Sequence, residues 1–364
     1  MLLKFHSKKI IFVVCCISTA LVVFLLYFFF TPNYEESDGR LNSKQAFVVR
    51  DAPVVIYQAP DFTAHLHYGS AVFHKYGCQI RNCILTSSDE SKRTADVVIF
   101  GENSEWEPPS TRRADQLWIV RLLESPENTR SLKRYENQVN ATVSYRPDSD
   151  VQIAYGKYQK FLIEQNRSRE INYAEGKTRM VCWIVSNCFT NNRRMEYARR
   201  LAKLIQVDIY GACGTNILGK QQAYQLIREK CKFYLAFENS NCRHYITEKF
   251  WINALQNNAI PIVMGAPKRD YADVAPPNSF IHVEDYTIEH LSSYLHYLDR
   301  NDTAYNEYFA WKKYGRVVDS NFYCHLCAFV QLPPTKTYTD LDKWWRGRNE
   351  CEVYSVAKPG FSHK

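Results

Sequence analysis

Residues 233–264 read FYLAFENSNCRHYITEKFWINALQNNAIPIVM, and the alternation within this stretch indicates the fold class. The apolar runs Phe233–Phe237 and Ile260–Met264 have the length of buried strands, whereas Thr247–Gln256 has the apolar spacing of a helix. A strand, a helix and a second strand in this order predict two parallel strands joined by a crossover helix.

The same alternation continues on both sides of this stretch and predicts an α/β fold with parallel sheets. Further strands are predicted at Met180–Val185, Val207–Tyr210 and Phe280–Val283, and further helices at Arg193–Ile205, Gln221–Lys230 and Ile288–Leu298. An upstream unit is less regular. Its strands are predicted at Val54–Tyr57, Ala95–Phe100 and Gln116–Leu123, and a helix is predicted at Tyr155–Asn166.

The composition is that of a folded protein and excludes several functional classes. The 364 residues are 46% hydrophobic and 23% charged, which excludes a disordered chain. The net charge of +8 is mild and is spread among 38 acidic residues, so the composition does not favour nucleic-acid binding. It leaves room for a local basic site that binds a phosphorylated ligand.

An uncharged apolar run at residues 10–30 predicts a transmembrane signal-anchor. Lys4, Lys8 and Lys9 precede it and Glu35, Glu36 and Asp38 follow it, so the positive-inside rule keeps residues 1–9 in the cytosol. We therefore expect a single-pass type II membrane protein with a polar stem at residues 31–46 and the remainder in the lumen.

The cysteines and glycosylation sequons agree with a lumenal location. Ten of the 12 cysteines lie outside the anchor, and an oxidising lumen favours their pairing as disulfides. Cys324 and Cys327 lack a second pair of zinc ligands, so we expect a local disulfide there, and Cys78 and Cys83 form a second local candidate. The sequons place candidate glycosylation sites at Asn140, Asn166 and Asn301, and we expect these positions to lie on the surface.

In a parallel α/β sheet, ligands bind beyond the carboxyl ends of the strands, where helices begin. The loop after Phe237 and the helix predicted from Thr247 occupy such a place. Thr247 would be the N-cap, and Lys249 would add a positive charge suited to a pyrophosphate. An ordinary capped helix with a solvated lysine explains the pattern equally well. The chain has no glycine-rich phosphate loop, which disfavours nucleotide hydrolysis and dinucleotide binding.

Residues 237–286 closely resemble the signature region of the α1,3/α1,4-fucosyltransferases. Leu122–Pro126 and Thr142–Asp150 resemble the acceptor-side motifs of that family, and the stretch from Trp183 to Arg193 resembles its donor-phosphate segment. These matches cover roughly residues 115–330 in the family's order.

This resemblance implies a Golgi enzyme that transfers L-fucose from GDP-β-L-fucose to a GlcNAc hydroxyl of a glycan, in α1,3 linkage and with inversion. It also implies two Rossmann-like domains in the GT-B arrangement. We expect an acceptor-side domain at residues 47–176, a GDP-fucose-binding domain at 177–345 and a C-terminal tail at 346–364.

The resemblance also implies roles for individual residues. Glu124 would be the general base, with Glu248 and the acids of Asp148-Ser149-Asp150 as rivals. The implied donor-binding residues are Arg193, Asn239, Tyr245, Glu248 and Lys249. We expect no metal ligands and no obligatory metal, although Mn²⁺ or Mg²⁺ would stimulate turnover by neutralising released GDP.

One residue departs from the family pattern. The family usually has Asp immediately before the Tyr-Ile-Thr-Glu-Lys block, and this chain has His244. The alternative interpretation is therefore a catalytically weak fucosyltransferase fold that acts as a glycan-binding or partner-binding module. The presence of Glu124, Arg193 and Lys249 favours the enzyme.

Overall fold

The computed structural model describes residues 50–58, 68–102, 112–162, 171–347 and 349–352. These described residues all belong to one compact unit. The predicted tail, anchor and stem at 1–46 lie outside the described residues. Within the described ranges, no helix is long and apolar enough to cross a bilayer.

The first sheet has six parallel strands in the order β2-β1-β3-β4-β5-β6. The strands are β1 Val54–Gln58, β2 Cys83–Thr86, β3 Val97–Gly101, β4 Leu117–Leu122, β5 Ala141–Ser144 and β6 Val151–Gln152. Every residue of β3 and β4 is buried, as expected for strands covered on both faces. The three upstream strands predicted from apolar runs are confirmed.

The second sheet has five parallel strands in the order β12-β11-β10-β8-β9. The strands are β8 Arg179–Ile184, β9 Val207–Tyr210, β10 Cys231–Phe237, β11 Ile260–Met264 and β12 Ile281–His282. The central strand β10 is buried at all seven positions. All five strands lie where the sequence predicts them, and β9 and β11 match their predicted bounds.

Helices cover both sheets. Their bounds are α1 Ala71–Lys75, α2 Ser91–Thr94, α3 Arg194–Leu201, α4 Lys220–Lys230, α5 Lys249–Gln256, α6 Lys268–Val274, α7 Ile288–Asp299, α8 Asp302–Glu307, α9 Phe322–Phe329 and α10 Leu341–Trp345. The helix α5 has π-type hydrogen bonding, and α3, α4 and α7 confirm their predictions.

The helix predicted at Tyr155–Asn166 is wrong over its described part. Residues Lys157–Lys160 form strand β7, which pairs antiparallel with β13 Gly315–Val318. The Tyr158 ring packs edge-on against Trp311, with ring centroids 5.8 Å apart. This contact with a distant segment overrides the local helical pattern.

The chain returns to the first sheet near its end. Helix α9 packs against α1 and β6, and the Leu341 and Trp345 side chains of α10 are buried in the core formed by Phe100 and Trp118. The segment 177–345 therefore supplies helices to both sheets, and the first sheet needs residues from both ends of the described chain.

All ten cysteines in the described ranges are paired, but the two predicted local pairs are wrong. The disulfides are Cys78–Cys324, Cys83–Cys327, Cys182–Cys231, Cys188–Cys213 and Cys242–Cys351. Cys324 and Cys327 are three residues apart on α9, so both face the same neighbouring elements. Each therefore bonds a cysteine of the first sheet's α1–β2 region.

Candidate active site

The carboxyl ends of β4 and β10 bring a carboxylate, an amide and a phenol together. Glu124 lies two residues beyond β4, and Asn239 lies two residues beyond β10. The Asn239 Nδ2 and the Tyr245 hydroxyl each donate a hydrogen bond of 3.1 Å to Oε2 of Glu124. The structure thus joins three of the site residues predicted from sequence, contributed by loops of both sheets.

The backbone of the Glu124 loop is held by two residues that sequence reasoning missed. The Glu102 carboxylate accepts hydrogen bonds from the backbone N–H groups of Glu124 at 3.2 Å and Leu123 at 3.5 Å. The Tyr155 hydroxyl donates to the Leu123 carbonyl at 2.7 Å. Burial raises the pKa of Tyr155 well above its usual value, so this phenol stays a donor.

A pair of serines also links the two loops. The hydroxyls of Ser125 and Ser240 lie 2.7 Å apart, and Asn128 Nδ2 donates to Ser240 at 2.9 Å. Both serines are fully buried. These bonds fix the distance between the loop after β4 and the loop after β10.

Lys249 lies in a charged cluster rather than in open solvent. Its ammonium is 3.1 Å from Oε2 of Glu238 and 3.1 Å from Oε1 of Glu248. Burial opposes the charge of Lys249, but the two carboxylates outweigh it and raise the pKa of the ammonium above its usual range. Glu238 is completely buried and burial raises its pKa, while 42% of the Glu248 side chain is exposed.

The N-cap predicted at Thr247 is wrong. The helix begins at Lys249, and Glu248 occupies the N-cap position without a capping side-chain bond. The Thr247 N–H and hydroxyl instead donate to Glu238 at 2.8 and 2.9 Å, because a fully buried carboxylate is costly unless it is hydrogen-bonded.

Gly265 makes room for the Glu238 side chain. Its φ of +150° is in the region that favours glycine, and a Cβ there would lie 2.7 Å from Cγ of Glu238. Any other residue at this position would displace the carboxylate that holds Thr247 and Lys249.

The two adjacent arginines after β8 have different roles. Arg194 is buried and donates to the backbone carbonyls of Phe237 at 2.7 Å and Asn187 at 3.0 Å. Arg193 has a left-handed φ of 53°, and 63% of its side chain is exposed. The geometry therefore favours Arg193 as the residue available to a ligand and gives Arg194 a structural role.

Asp148 and Asp150 are engaged by protein groups. Asp148 pairs with Arg146 at 2.7 Å, whereas Asp150 pairs with Lys336 at 2.7 Å and accepts a hydrogen bond from Tyr338 at 2.7 Å. Although burial opposes their ionisation, these partners lower the pKa of both carboxyls. Across the described parts of the chain, no three His, Cys, Asp or Glu side chains are grouped to hold a metal ion.

Glu350 and Cys351 bind the loop that carries Tyr245. Cys351 bonds Cys242, and the Arg243 N–H donates to the Glu350 carbonyl at 2.8 Å. The Glu350 carboxylate lies 3.3 Å from Arg146 beyond the first sheet. This part of the predicted C-terminal tail is therefore a component of the site.

The His244 substitution leaves these contacts in place. Its φ is +60°, and its backbone N–H donates to the buried Asp270 carboxylate at 2.6 Å. This hydrogen bond is made by the backbone and does not depend on the side chain, although Nδ1 of His244 also lies 3.6 Å from the same Asp270 oxygen.

The sequons have different outcomes. Asn140 is buried, its side-chain oxygen accepts the Trp118 N–H at 2.9 Å, and its nitrogen donates to Lys336, so the expectation of an exposed site there is wrong. The Asn301 side chain caps α8 by accepting the Ala304 N–H, and glycosylation of Asn301 stays a prediction. Asn166 lies outside the described residues.

Two family comparisons match most of the described chain. "Glycosyltransferase family 10 (fucosyltransferase) C-term" matches residues 174–344, and "Fucosyltransferase, N-terminal" matches residues 50–156. The chain belongs to glycosyltransferase family 10, the fucosyltransferases. The resemblance predicted from its motifs is confirmed, and with it the predicted enzyme class.

Two relatives in this fucosyltransferase family are 35% or more identical to the chain within the aligned regions. Glycoprotein 3-alpha-L-fucosyltransferase A of Drosophila melanogaster is 40% identical over 79% of this chain, and the match spans 59% of that enzyme's length. Alpha-(1,3)-fucosyltransferase 7 of Bos taurus is 35% identical over 75% of this chain and 80% of its own length.

A solved structure supports the fold of this fucosyltransferase. The crystal structure of an α1,3-fucosyltransferase with GDP-fucose superposes with a TM-score of 0.54 and 17% identity, over 80% of this chain and 94% of that chain. At this identity the likeness concerns the α/β fold alone.

Proposed function

We propose that this fucosyltransferase moves L-fucose from GDP-β-L-fucose to a GlcNAc hydroxyl of a glycan in α1,3 linkage, with inversion. The observation that carries the proposal is the position of Glu124, bound at 3.1 Å by both Asn239 and Tyr245 between the two sheets. The 3-alpha and alpha-(1,3) designations of the relatives support the linkage.

In this mechanism Glu124 accepts the proton of the acceptor hydroxyl. The hydroxyl oxygen forms a bond to the anomeric carbon on the face opposite GDP, the bond to the β-phosphate breaks, and GDP leaves with the electron pair. Direct displacement of this kind inverts the anomeric centre and needs one carboxylate as base. Asp148 and Asp150 are poor rivals because protein groups already pair with both.

Arg193 and Lys249 would stabilise the charge that develops on the leaving diphosphate. The Lys249 cluster carries two carboxylates for one ammonium, so an arriving phosphate would replace one of them. Glu248 is the partner that can be exchanged because it is partly exposed, whereas Glu238 is buried. Released from Lys249, Glu248 could bind a sugar or ribose hydroxyl.

The compartment and architecture belong to the same proposal. Five disulfides support an oxidising lumen, consistent with a type II Golgi membrane protein anchored by residues 10–30. The two parallel sheets support a GT-B arrangement with the donor on the second sheet. We also expect activity without an added metal, with Mn²⁺ or Mg²⁺ stimulating turnover by neutralising released GDP.

The test is fucosyl transfer by the purified lumenal part, with glycan acceptors and linkage analysis by mass spectrometry. Glu124→Gln should lower turnover by about 10²- to 10⁴-fold, because the amide cannot take the proton. The GDP-fucose affinity should change little, since the amide oxygen can still accept from Asn239 and Tyr245.

Glu127→Gln is the matched control, three residues further along the same loop, and should retain turnover. Near wild-type turnover in Glu124→Gln would pass the base role to Glu248. Donor binding without transfer to any GlcNAc acceptor by the wild-type protein would instead favour a catalytically weak binding module.

A further inference from the structure

Strand β3 has an acidic residue at each end, and each carboxylate accepts backbone N–H groups of a neighbouring strand or loop. At the amino end, Asp96 accepts the Val55 N–H at 2.8 Å. At the carboxyl end, Glu102 accepts from Leu123 and Glu124. Only Glu102 lies at the edge where the site is formed, and 5% of it is exposed.

The Glu102 backbone is itself fixed to the strand that leads to Glu124. Its N–H donates to the Arg121 carbonyl at 3.2 Å, extending the β3–β4 pairing by one residue. A buried carboxylate is retained only when hydrogen bonds satisfy it, and the backbone of the Glu124 loop supplies them here.

Glu124 is therefore held by two separate sets of hydrogen bonds, one to its carboxylate and one to its backbone N–H. Its carboxylate is bound by Asn239 and Tyr245, which the proposed function assigns to donor binding. Its backbone is bound by Glu102, whose contacts lie within the first sheet. A donor that took Asn239 and Tyr245 as its own partners would leave the Glu102 bonds in place, because these lie within the first sheet.

We propose that Glu102 is a positioning residue that fixes the Glu124 backbone, so that the base keeps its place once the donor claims its side-chain partners. This inference rests on the proposed function. Glu102 is not itself the proton acceptor, because both of its oxygens face backbone N–H groups. In this role the two oxygens of the Glu102 carboxylate accept one backbone N–H group each, from Leu123 and Glu124.

The experiment compares Glu102→Leu, Glu102→Gln and the control Asp96→Asn in the whole lumenal protein. Turnover, the KM for the acceptor, GDP-fucose affinity and thermal stability are measured for each. Hydrogen–deuterium exchange of residues 119–128 reports the loop directly. A displacement of about 1 Å at a reacting group can lower a rate roughly 100-fold.

We expect Glu102→Leu to lower turnover roughly 100-fold with GDP-fucose affinity within about twofold of wild type. Glu102→Gln keeps one acceptor oxygen and should recover part of the turnover. Both variants should exchange faster at residues 119–128, and Asp96→Asn should leave turnover and exchange there unchanged. If Glu102→Leu does not fold, the turnover and the exchange at residues 119–128 of Glu102→Gln test the proposal.

Unchanged turnover and exchange in Glu102→Gln and Glu102→Leu would overturn the proposal. Equal losses of turnover and donor affinity would also overturn it, because they indicate a general structural defect. If the wild-type protein transfers no fucose, the proposed function fails, while the exchange measurement still shows whether Glu102 holds the loop.

Discussion

Lys249 illustrates how one side chain can serve both stability and ligand binding. Its ammonium compensates Glu238, which is fully buried, and lies beside the partly exposed Glu248. A buried ion pair contributes little by itself, but removing one partner leaves the other charge uncompensated. The residue predicted as a phosphate contact is therefore also a structural counter-ion.

We predict that Lys249→Met destabilises the protein by about 3–5 kcal/mol, and that the double variant Lys249→Met/Glu238→Gln recovers most of this loss. Without Lys249, the already raised pKa of Glu238 rises further, so the folded state binds an extra proton. The stability of the single variant should then increase as the pH falls from neutral.

Denaturant titrations of both variants at two pH values measure these effects. A single variant as stable as wild type, or a double variant no more stable than the single one, would contradict the role of Lys249 as the counter-ion.

At the residue scale, part of the site could be predicted from sequence. The family resemblance implied that Glu124 is the base and that Asn239 and Tyr245 bind the donor, and the structure brings these three side chains into contact. Glu102 and Glu238 were missed because their roles depend on backbone groups of other segments. A local signal existed, since each acid directly follows a run of buried strand residues. It could not show which N–H groups each carboxylate meets.

Strand β12 at the edge of the second sheet contains a buried histidine, His282, whose surroundings oppose its protonation. The Ala266 carbonyl can only accept, so Nε2 of His282 donates to it, while Nδ1 accepts the Glu284 N–H. Burial lowers the pKa of His282 from 6.5 to about 4. The folded state therefore holds this ring neutral.

We predict that stability falls as the pH decreases from about 6.5 towards 4. Over this range the unfolded chain binds a proton at His282 that the folded state refuses, and the loss reaches roughly 3 kcal/mol. His282→Gln should flatten this dependence, measured as free energy of unfolding against pH. The exposed His290→Gln is the control, and an unchanged slope in His282→Gln would contradict the assignment.

At the element scale, continuous apolar runs predicted the buried parallel strands well, because such strands read as hydrophobic on both faces. The short strands β5 and β6 lie in a polar stretch and were not foreseen. Strand β7 was mistaken for a helix, since its pairing with β13 joins Lys160 to Gly315 and Lys157 to Val318, which are far apart in the sequence. Local periodicity carries no information on such pairings.

At the scale of the whole molecule, two disulfides join helix α9 to the first sheet. Cys78–Cys324 and Cys83–Cys327 close loops of 246 and 244 residues. The sequence predicted that these four cysteines form disulfides, but their close spacing favoured the local pairs Cys78–Cys83 and Cys324–Cys327. The true pairs follow from the chain's return to the first sheet, which no local pattern reveals.

We predict strongly non-additive effects of removing these two disulfides. Each closes almost the same loop, so the Cys78→Ala/Cys324→Ala variant or the Cys83→Ala/Cys327→Ala variant retains most of the entropic restriction of the unfolded chain. Removing all four cysteines should lose about 5 kcal/mol of that restriction. Chemical denaturation measures the free energy of unfolding of the three variants. If the losses of the two double variants add up to the loss of the quadruple variant, the prediction is contradicted.

The return of α9 and α10 to the first sheet has a consequence for biosynthesis. Cys78 and Cys83 leave the ribosome long before their partners on α9, which are 246 and 244 residues away. At about 5–20 residues per second, the two thiols wait roughly 10 to 50 s. Meanwhile Cys182 and Cys231, 49 residues apart, can already pair. Until Cys182 emerges, each of these two thiols has only the other as a partner among the cysteines beyond the predicted anchor. We therefore expect nascent chains to carry a transient Cys78–Cys83 bond that a disulfide isomerase must reopen, detectable by alkylation of pulse-labelled chains.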